Sequence, residues 1–187
     1  MIYHYSFQVN ARESELVILK SIQTGCGIAF SMKEGNVTKG IATVHLLKDI
    51  SLGFLVYLAI APSLQKKGHG CAFLTFIEDA CCKHFSSQNI TPKGMVWEVE
   101  KNKPDNASER ALNFFKKNGG SVLPCRYSQP PLDGKEAVDM YLMYKGLDST
   151  EADFNLIIHS IYFNKYHTVN EIDKALLMSL YEEITRA

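Results

Sequence analysis

Two lysines and two glycines fall within six positions at Gln65-Lys66-Lys67-Gly68-His69-Gly70. An apolar run, Phe54 to Ile60, comes before them, and Pro62 ends it because proline has no N–H for a strand ladder. From Cys71 onward apolar residues recur at Phe73, Ile77, Ala80, Cys81 and His84-Phe85, spacings of three and four that give a helix one buried face. Strand, glycine-rich turn and helix form a unit with a definite chemical use. The first N–H groups of a helix lack internal partners and carry partial positive charge, which suits an anion. Gly68 and Gly70 remove the Cβ atoms that would hold a phosphate off the backbone, and they permit positive φ. Lys66 and Lys67 add charge at the rim, or stand as solvated surface charges. The expected ligand is a diphosphate.

The spacing excludes two commoner cradles. A dinucleotide fingerprint would place glycine or alanine near position 73, which is Phe73. A P-loop would end Gly-Lys-Ser/Thr, whereas this turn ends Gly70-Cys71-Ala72. Some thirty residues on lies a second strand, Met95-Val96-Trp97-Glu98-Val99-Glu100. Then follows a helix through Arg110-Ala111-Leu112-Asn113-Phe114-Phe115-Lys116-Lys117, closed by Asn118-Gly119-Gly120.

The strand, Pro62, and Gln65-x-x-Gly68-x-Gly70 opening a helix resemble the acyl-CoA-binding motif of the GNAT superfamily of N-acyltransferases. The Met95–Glu100 strand and the helix ending at Gly119 are similar to the family's next two elements, in the same order and spacing. Together they cover about Ile41 to Leu142. The resemblance implies an α+β fold whose mixed, mostly antiparallel central sheet splays between the family's fourth and fifth strands. It also implies acetyl-CoA as cosubstrate, without a metal. The fourth-strand positions Leu58, Ala59 and Ile60 would bond the pantetheine. Gln65, Lys66, Lys67, Gly68, His69, Gly70 and Cys71 would hold the diphosphate, His69 through its backbone and Cys71 without a covalent role. A primary amine would then attack the thioester directly in a ternary complex, through an oxyanion that a strand N–H can stabilise. The alternative is a catalytically weak or inactive acyl-CoA-binding regulatory protein, and a third reading is an interaction module that acts through its tail.

Glu98 matches the glutamate of the family's apolar-Glu-Val strand, beside the splay, and is the implied base. Its bland alternative is a solvated strand face shared with Glu100. Many members carry a tyrosine acid where this chain has Phe115, so the acid is another group or the thiolate leaves unassisted. Tyr127 is the candidate taken up as catalytic, with Tyr57 and Tyr3 behind it. The acceptor would meet residues of 12–25, 129–134 and the region beyond Leu147, and a small amine or amino-acid-like molecule is expected, with a protein N-terminus or lysine behind it.

The 187 residues suit one domain with an appendage, read as a GNAT domain over 1–146 and a C-terminal helical hairpin over 147–187. Twenty basic and twenty acidic residues cancel, so nothing steers the chain toward nucleic acid or an anionic membrane. A hydrophobic content of 46% argues for a packed core. Met1 to Asn10 lacks the features of a signal peptide, and Cys26, Cys71, Cys81, Cys82 and Cys125 read as reduced, mostly buried thiols of a cytoplasmic protein. His4, His45, His84, His159 and His167 have no metal-ligand spacing.

The alternation over Tyr3–Val9 predicts an edge strand, and Ala11–Ile22 an amphipathic helix. Gly27–Met32 and Thr38–Leu47 read as strands about a turn at 33–36. Ser108 reads as an N-cap, and Ser121–Tyr127 and Ala137–Tyr144 as strands. In the tail Phe154, Ile157, Ile158, Ile161 and Tyr162 mark one helix, starting near 149–153. Ile172, Leu176, Leu180 and Ile184 mark a second. The tail's stripe must be buried on the core, on a partner in a homodimer, or over the acceptor site.

Overall fold

The structure is a computed structural model, and it describes residues 2–7, 11–101, 103–132, 136–147 and 153–186. A short helix, α1 (Ile2–Ser6), opens the chain where a strand was expected. Tyr3 and Phe7 lie four apart and both close on the ring of Tyr57, at 5.0 and 4.8 Å between centroids, which a strand would not allow. Residues 8 and 9 of the expected strand lie outside the described residues. Helix α2 (Glu15–Gln23) is capped by the Ser14 hydroxyl, which accepts from the Val17 N–H, and it leaves Leu16 and Leu19 exposed.

Strands β1 (Gly27–Glu34) and β2 (Val37–Leu47) form a hairpin about Gly35-Asn36, with Gly35 at φ +57°. β3 (Leu52–Ile60) runs antiparallel to β2, and helix α3 (His69–Ser87) follows it. Then come β4 (Gly94–Glu100) and α4 (Ala107–Lys117). Asn106, at φ +55°, takes the cap position of α4, while the Ser108 hydroxyl instead accepts from the Lys103 N–H at 2.9 Å. The single strand expected over 121–127 is two short ones, β5 (Ser121–Val122) and β6 (Tyr127–Gln129), both antiparallel to β7 (Val138–Gly146). The tail comprises α5 (Phe154–Ser160), a π-helical segment (Ile161–His167) and α6 (Lys174–Thr185). The start expected over 149–152 lies outside the described residues, and Asp153 caps α5 at the Leu156 N–H.

The seven strands make one sheet in the order β1-β2-β3-β4-β7-β5, with β6 also on β7. Among the described residues only β3 and β4 pair in parallel, and because Tyr3–Ser6 is helical they are the third and fourth strands described. α3 and α4 cover one face, where Phe73, Leu74, Ile77 and Phe85 pack on Leu55, Met95 and Trp97. At roughly 1.5–3 kcal/mol per large apolar side chain, this burial anchors α3 far more firmly than its helix propensity does. The opposite face packs Leu52, Phe54, Val96 and Leu142 against Ile158, Tyr162 and Tyr166 of the tail. On α6 the fully buried residue is Leu177, with Leu180 and Ile184 partly buried beside it, whereas Leu176 is 41% exposed. No helix among the described residues is long and apolar enough to cross a membrane.

Candidate active site

β3 and β4 pair from Leu52–Gly94 to Leu55–Trp97 and then separate. The divergence has a local cause on the other edge of β3. There Val44 pairs with Leu55 and Thr43 with Tyr57, so Val56 is an extra residue, a β-bulge. A bulge bends its strand and raises the twist, and this one sits where the β3–β4 pairing stops. Beyond it, residues 57–60 on one arm and 98–100 on the other border a wedge. The Ala61 N–H donates to the Lys39 carbonyl at 2.7 Å. Strand amides alternate in direction, so the Ala59 amide also faces β2, while those of Leu58 and Ile60 face the wedge. Of the three expected strand positions, Leu58 and Ile60 offer amides there and Ala59 does not. The Ile60 carbonyl already accepts from Gln65 Nε2 at 3.3 Å.

The wedge opens onto the loop before α3. Lys66 and Gly68 are both left-handed, at φ +60° and +82°. Among the described residues, the N–H groups of Gly68, His69, Gly70 and Cys71 make no hydrogen bond within the chain, and the first to do so is Ala72, to the Gly68 carbonyl. Such a run of free amides is an anion-binding concavity. The two glycines have different tasks. A Cβ at Gly68 would meet nothing within 4 Å, so this position leaves room for a ligand. A Cβ at Gly70, whose φ is not positive, would come within 3.2 Å of Phe114 and 3.5 Å of Ile60, so Gly70 lets α3 approach α4 and β3. Gln65, Lys66, Lys67, His69 and Cys71 are exposed. The Lys67 ammonium donates to the Ser63 carbonyl at 2.9 Å, and Asn118 Nδ2 donates to the Cys71 sulfur at 3.5 Å. Of the five cysteines, all of them free thiols, only Cys81 is fully buried, short of the mostly buried set expected.

Glu98 lies on the β4 arm of the wedge, on the tail-covered face. One carboxylate oxygen accepts the Tyr127 hydroxyl, and both accept the Tyr166 hydroxyl at 2.9 Å. Gln129 Nε2 adds a longer contact to Glu98 at 3.4 Å and donates to the Tyr166 oxygen at 3.2 Å. Burial pushes the Glu98 carboxyl up to about 7, against the pull of the two tyrosine hydroxyls toward the charged form. The tyrosines go the other way. Burial raises both well above the usual phenol range, so they stay protonated donors. The solvated-face alternative fails for both: Glu98 is partly buried with both oxygens held by tyrosines, and Glu100 is only 8% exposed and 3.2 Å from the Lys103 ammonium. The Gln129 side-chain oxygen, Oε1, is buried without a hydrogen-bond partner among the described residues.

Tyr57 and Tyr3 do not reach Glu98; both serve Glu13. The Glu13 N–H donates to the Tyr57 hydroxyl, which itself donates to the Ala11 carbonyl, while Tyr3 donates to the Glu13 carbonyl. The Glu13 side chain is ion-paired with Lys165, both of them buried, and accepts from partly buried Asn170 at 2.8 Å. On α4, Phe115 lies inside, stacked on Trp97 at 4.7 Å, and it is Phe114 that flanks Gly70. Neither carries a hydroxyl. Glu13, Gln129, Lys165 and Tyr166 fall within the regions expected to meet the acceptor, but sequence reasoning singled out none of them. A signal existed for two of them: Lys165 and Tyr166 follow Ile161 and Tyr162 by four, on the stripe that points inward, and a lysine on such a stripe demands a buried partner.

No family model matches the chain, and no curated protein matches it in sequence. Solved structures do. A protein from Bacteroides thetaiotaomicron, described as a GNAT-family acetyltransferase, superposes with a TM-score of 0.69 at 20% identity, over 92% of this chain and 89% of its own. Spermidine N-acetyltransferase from Vibrio cholerae, in complex with CoA and spermine, gives 0.52 at 16% identity over 72% and 76%. A GNAT-family acetyltransferase from Elizabethkingia anophelis with acetyl-CoA bound gives 0.50 at 20% over 72% and 84%. The chain has the GNAT fold, with its splayed parallel pair and the open amides that lead into α3.

Proposed function

We propose that this protein is an N-acetyltransferase that moves an acetyl group from acetyl-CoA to a primary amine. One observation carries the reading: the β3–β4 wedge leads from free amides at 68–71, past the Leu58 and Ile60 amides, to a carboxylate poised near neutrality. The room beside Gly68 and the exposed lysines around it suit a diphosphate. When bound, acetyl-CoA would supply the activated acetyl group. The chain would do the rest. The amides of 68–71 hold the diphosphate, with Lys66 and Lys67 at the rim, and the Leu58 and Ile60 amides orient the pantetheine. Glu98 takes the proton that the acceptor's ammonium must lose, a task for which a group titrating near 7 is suited. Tyr127, protonated and donating to a Glu98 oxygen, is the hydroxyl assigned to return a proton, since neither Phe114 nor Phe115 carries one. A small amine or amino-acid-like acceptor is proposed, in line with the amine held by the Vibrio cholerae structure.

One observation favours a second reading, a binder of acyl-CoA without turnover: both oxygens of Glu98 are already engaged by tyrosines. The test that separates them is release of CoA thiol, followed with a panel of primary amines. The enzyme reading expects amine-dependent release that falls sharply in Glu98→Gln while acetyl-CoA affinity holds. Tight acetyl-CoA binding with no release for any amine would leave the binder.

A further inference from the structure

We propose that the C-terminal tail is part of the active site, with Tyr166 the residue that positions Glu98 and Lys165 the tie that fixes the tail to the opposite arm of the wedge. This rests on the reading of Glu98 as the base. The two adjacent residues lie in one π-helical segment, a rare form found often at functional positions. They are 0% and 1% exposed, yet they serve different carboxylates. Tyr166 donates to both oxygens of Glu98 on the β4 arm. Lys165 holds Glu13 and, at 2.9 Å, the Asn170 side-chain oxygen. Glu13 is bonded through its backbone to Tyr57, the residue that follows the bulge on the β3 arm. A continuous polar bridge therefore spans the wedge on one face: Tyr57, Glu13, Lys165-Tyr166, Glu98. Glu13 and Lys165 are buried as a pair, so each depends on the other for a partner, while Glu98 takes its donors from Tyr166 and Tyr127.

The consequence concerns protonation. Glu98 is bonded by Tyr127 and Gln129 from β6 and by Tyr166 from the tail, and it feels the charges of Lys165 and of Glu13 before α2, with the neutral Tyr162 phenol close by on the same tail segment. Burial and the Glu13 charge favour its neutral form, and the two hydroxyls and Lys165 favour the charged one. Loss of the Tyr166 hydroxyl removes a donor to the charged form, so Glu98 should titrate higher. Tyr162 makes a matched control. It lies on the same segment, is 0% exposed, and gives its hydroxyl to the Ser128 carbonyl at 2.6 Å rather than to Glu98.

The experiment follows the Glu98 carboxyl by carbon-13 NMR across pH in the full chain, assigned against Glu98→Gln, with pH–rate profiles alongside. Tyr166→Phe should raise the Glu98 midpoint by about one pH unit through the lost hydrogen bond and move the rising limb of kcat with it. Turnover at pH 6 should then drop about tenfold and converge with wild type at high pH, with KM for acetyl-CoA unchanged. Tyr162→Phe should lower stability to a similar degree and shift neither. If Tyr166→Phe does not fold, 3-fluorotyrosine placed at 166 keeps every contact with a more acidic phenol, and the midpoint should fall. A Glu98 midpoint that ignores both changes at Tyr166 overturns the proposal. A midpoint that moves as stated in a protein that releases no CoA thiol leaves the positioning intact and defeats the enzyme reading instead.

Discussion

Glu98→Gln should make the protein more stable in mild base while disabling it. In the folded chain burial raises the Glu98 carboxyl from an ordinary 4.5 to about 7. Between those values the native state holds a proton that the unfolded state has released, so native stability falls as pH rises. Glu98 therefore contributes fully below about 4.5, loses its contribution up to about 7, and is level above that. The difference corresponds to about 3 kcal/mol, at 1.36 kcal/mol per pKa unit. Glutamine has nearly the same shape, still accepts from Tyr127 and Tyr166, and has no charge to bury. Urea unfolding of both proteins at half-unit steps from pH 4.5 to 8.5 reads the difference. The gap between Glu98→Gln and wild type should widen by about 3 kcal/mol across the window and then stay constant. Parallel curves would mean that the carboxylate is solvated in the native state, and the case for a base near neutrality would fail with it.

Other perturbations test separate links. Lys165→Met leaves Glu13 buried and uncompensated, and should lower stability by about 3–5 kcal/mol in chemical denaturation. Leu177→Ala, at a fully buried position that joins α6 to the core, should cost about 2–5 kcal/mol by the same measurement. Cys71 is exposed within the anion loop, so acetyl-CoA should slow its alkylation, read by mass spectrometry, while partly buried Cys26 provides the reference rate. Equal rates at Cys71 with and without acetyl-CoA would place the ligand elsewhere.

The sequence carried the parts of the fold that obey local rules. Phe54–Ile60, the glycines at 68 and 70, and the three-and-four spacing to Phe85 announce β3, the loop and α3, because strand patterning, turn chemistry and helical periodicity agree there. Tyr3, Tyr5 and Phe7 misled, since alternation over five residues is also met by an i, i+4 pair, and packing on Tyr57 decided for a helix. The bulge at Val56 left no mark in composition, being a matter of register between two strands. Glu98 was legible as a residue beside the splay, but its setting was not. The groups that surround it come from Tyr127, 29 residues away, and Tyr166, 68 residues away, and long-range pairing of that kind is set only by the tertiary fold. Phe115 aligned with the family's tyrosine, yet its stacking on Trp97 turned it inward and left Phe114 beside the loop.

Calorimetric titration of acetyl-CoA into wild type and Gly68→Glu tests the central claim most directly. Gly68 is left-handed and open, so glutamate there adds about 1–2 kcal/mol of backbone strain and puts a carboxylate where the diphosphate would lie, without disturbing the core. Saturable one-to-one heat with wild type, and none with a folded Gly68→Glu, is the predicted result. No heat with wild type, or equal heat with both, would contradict it.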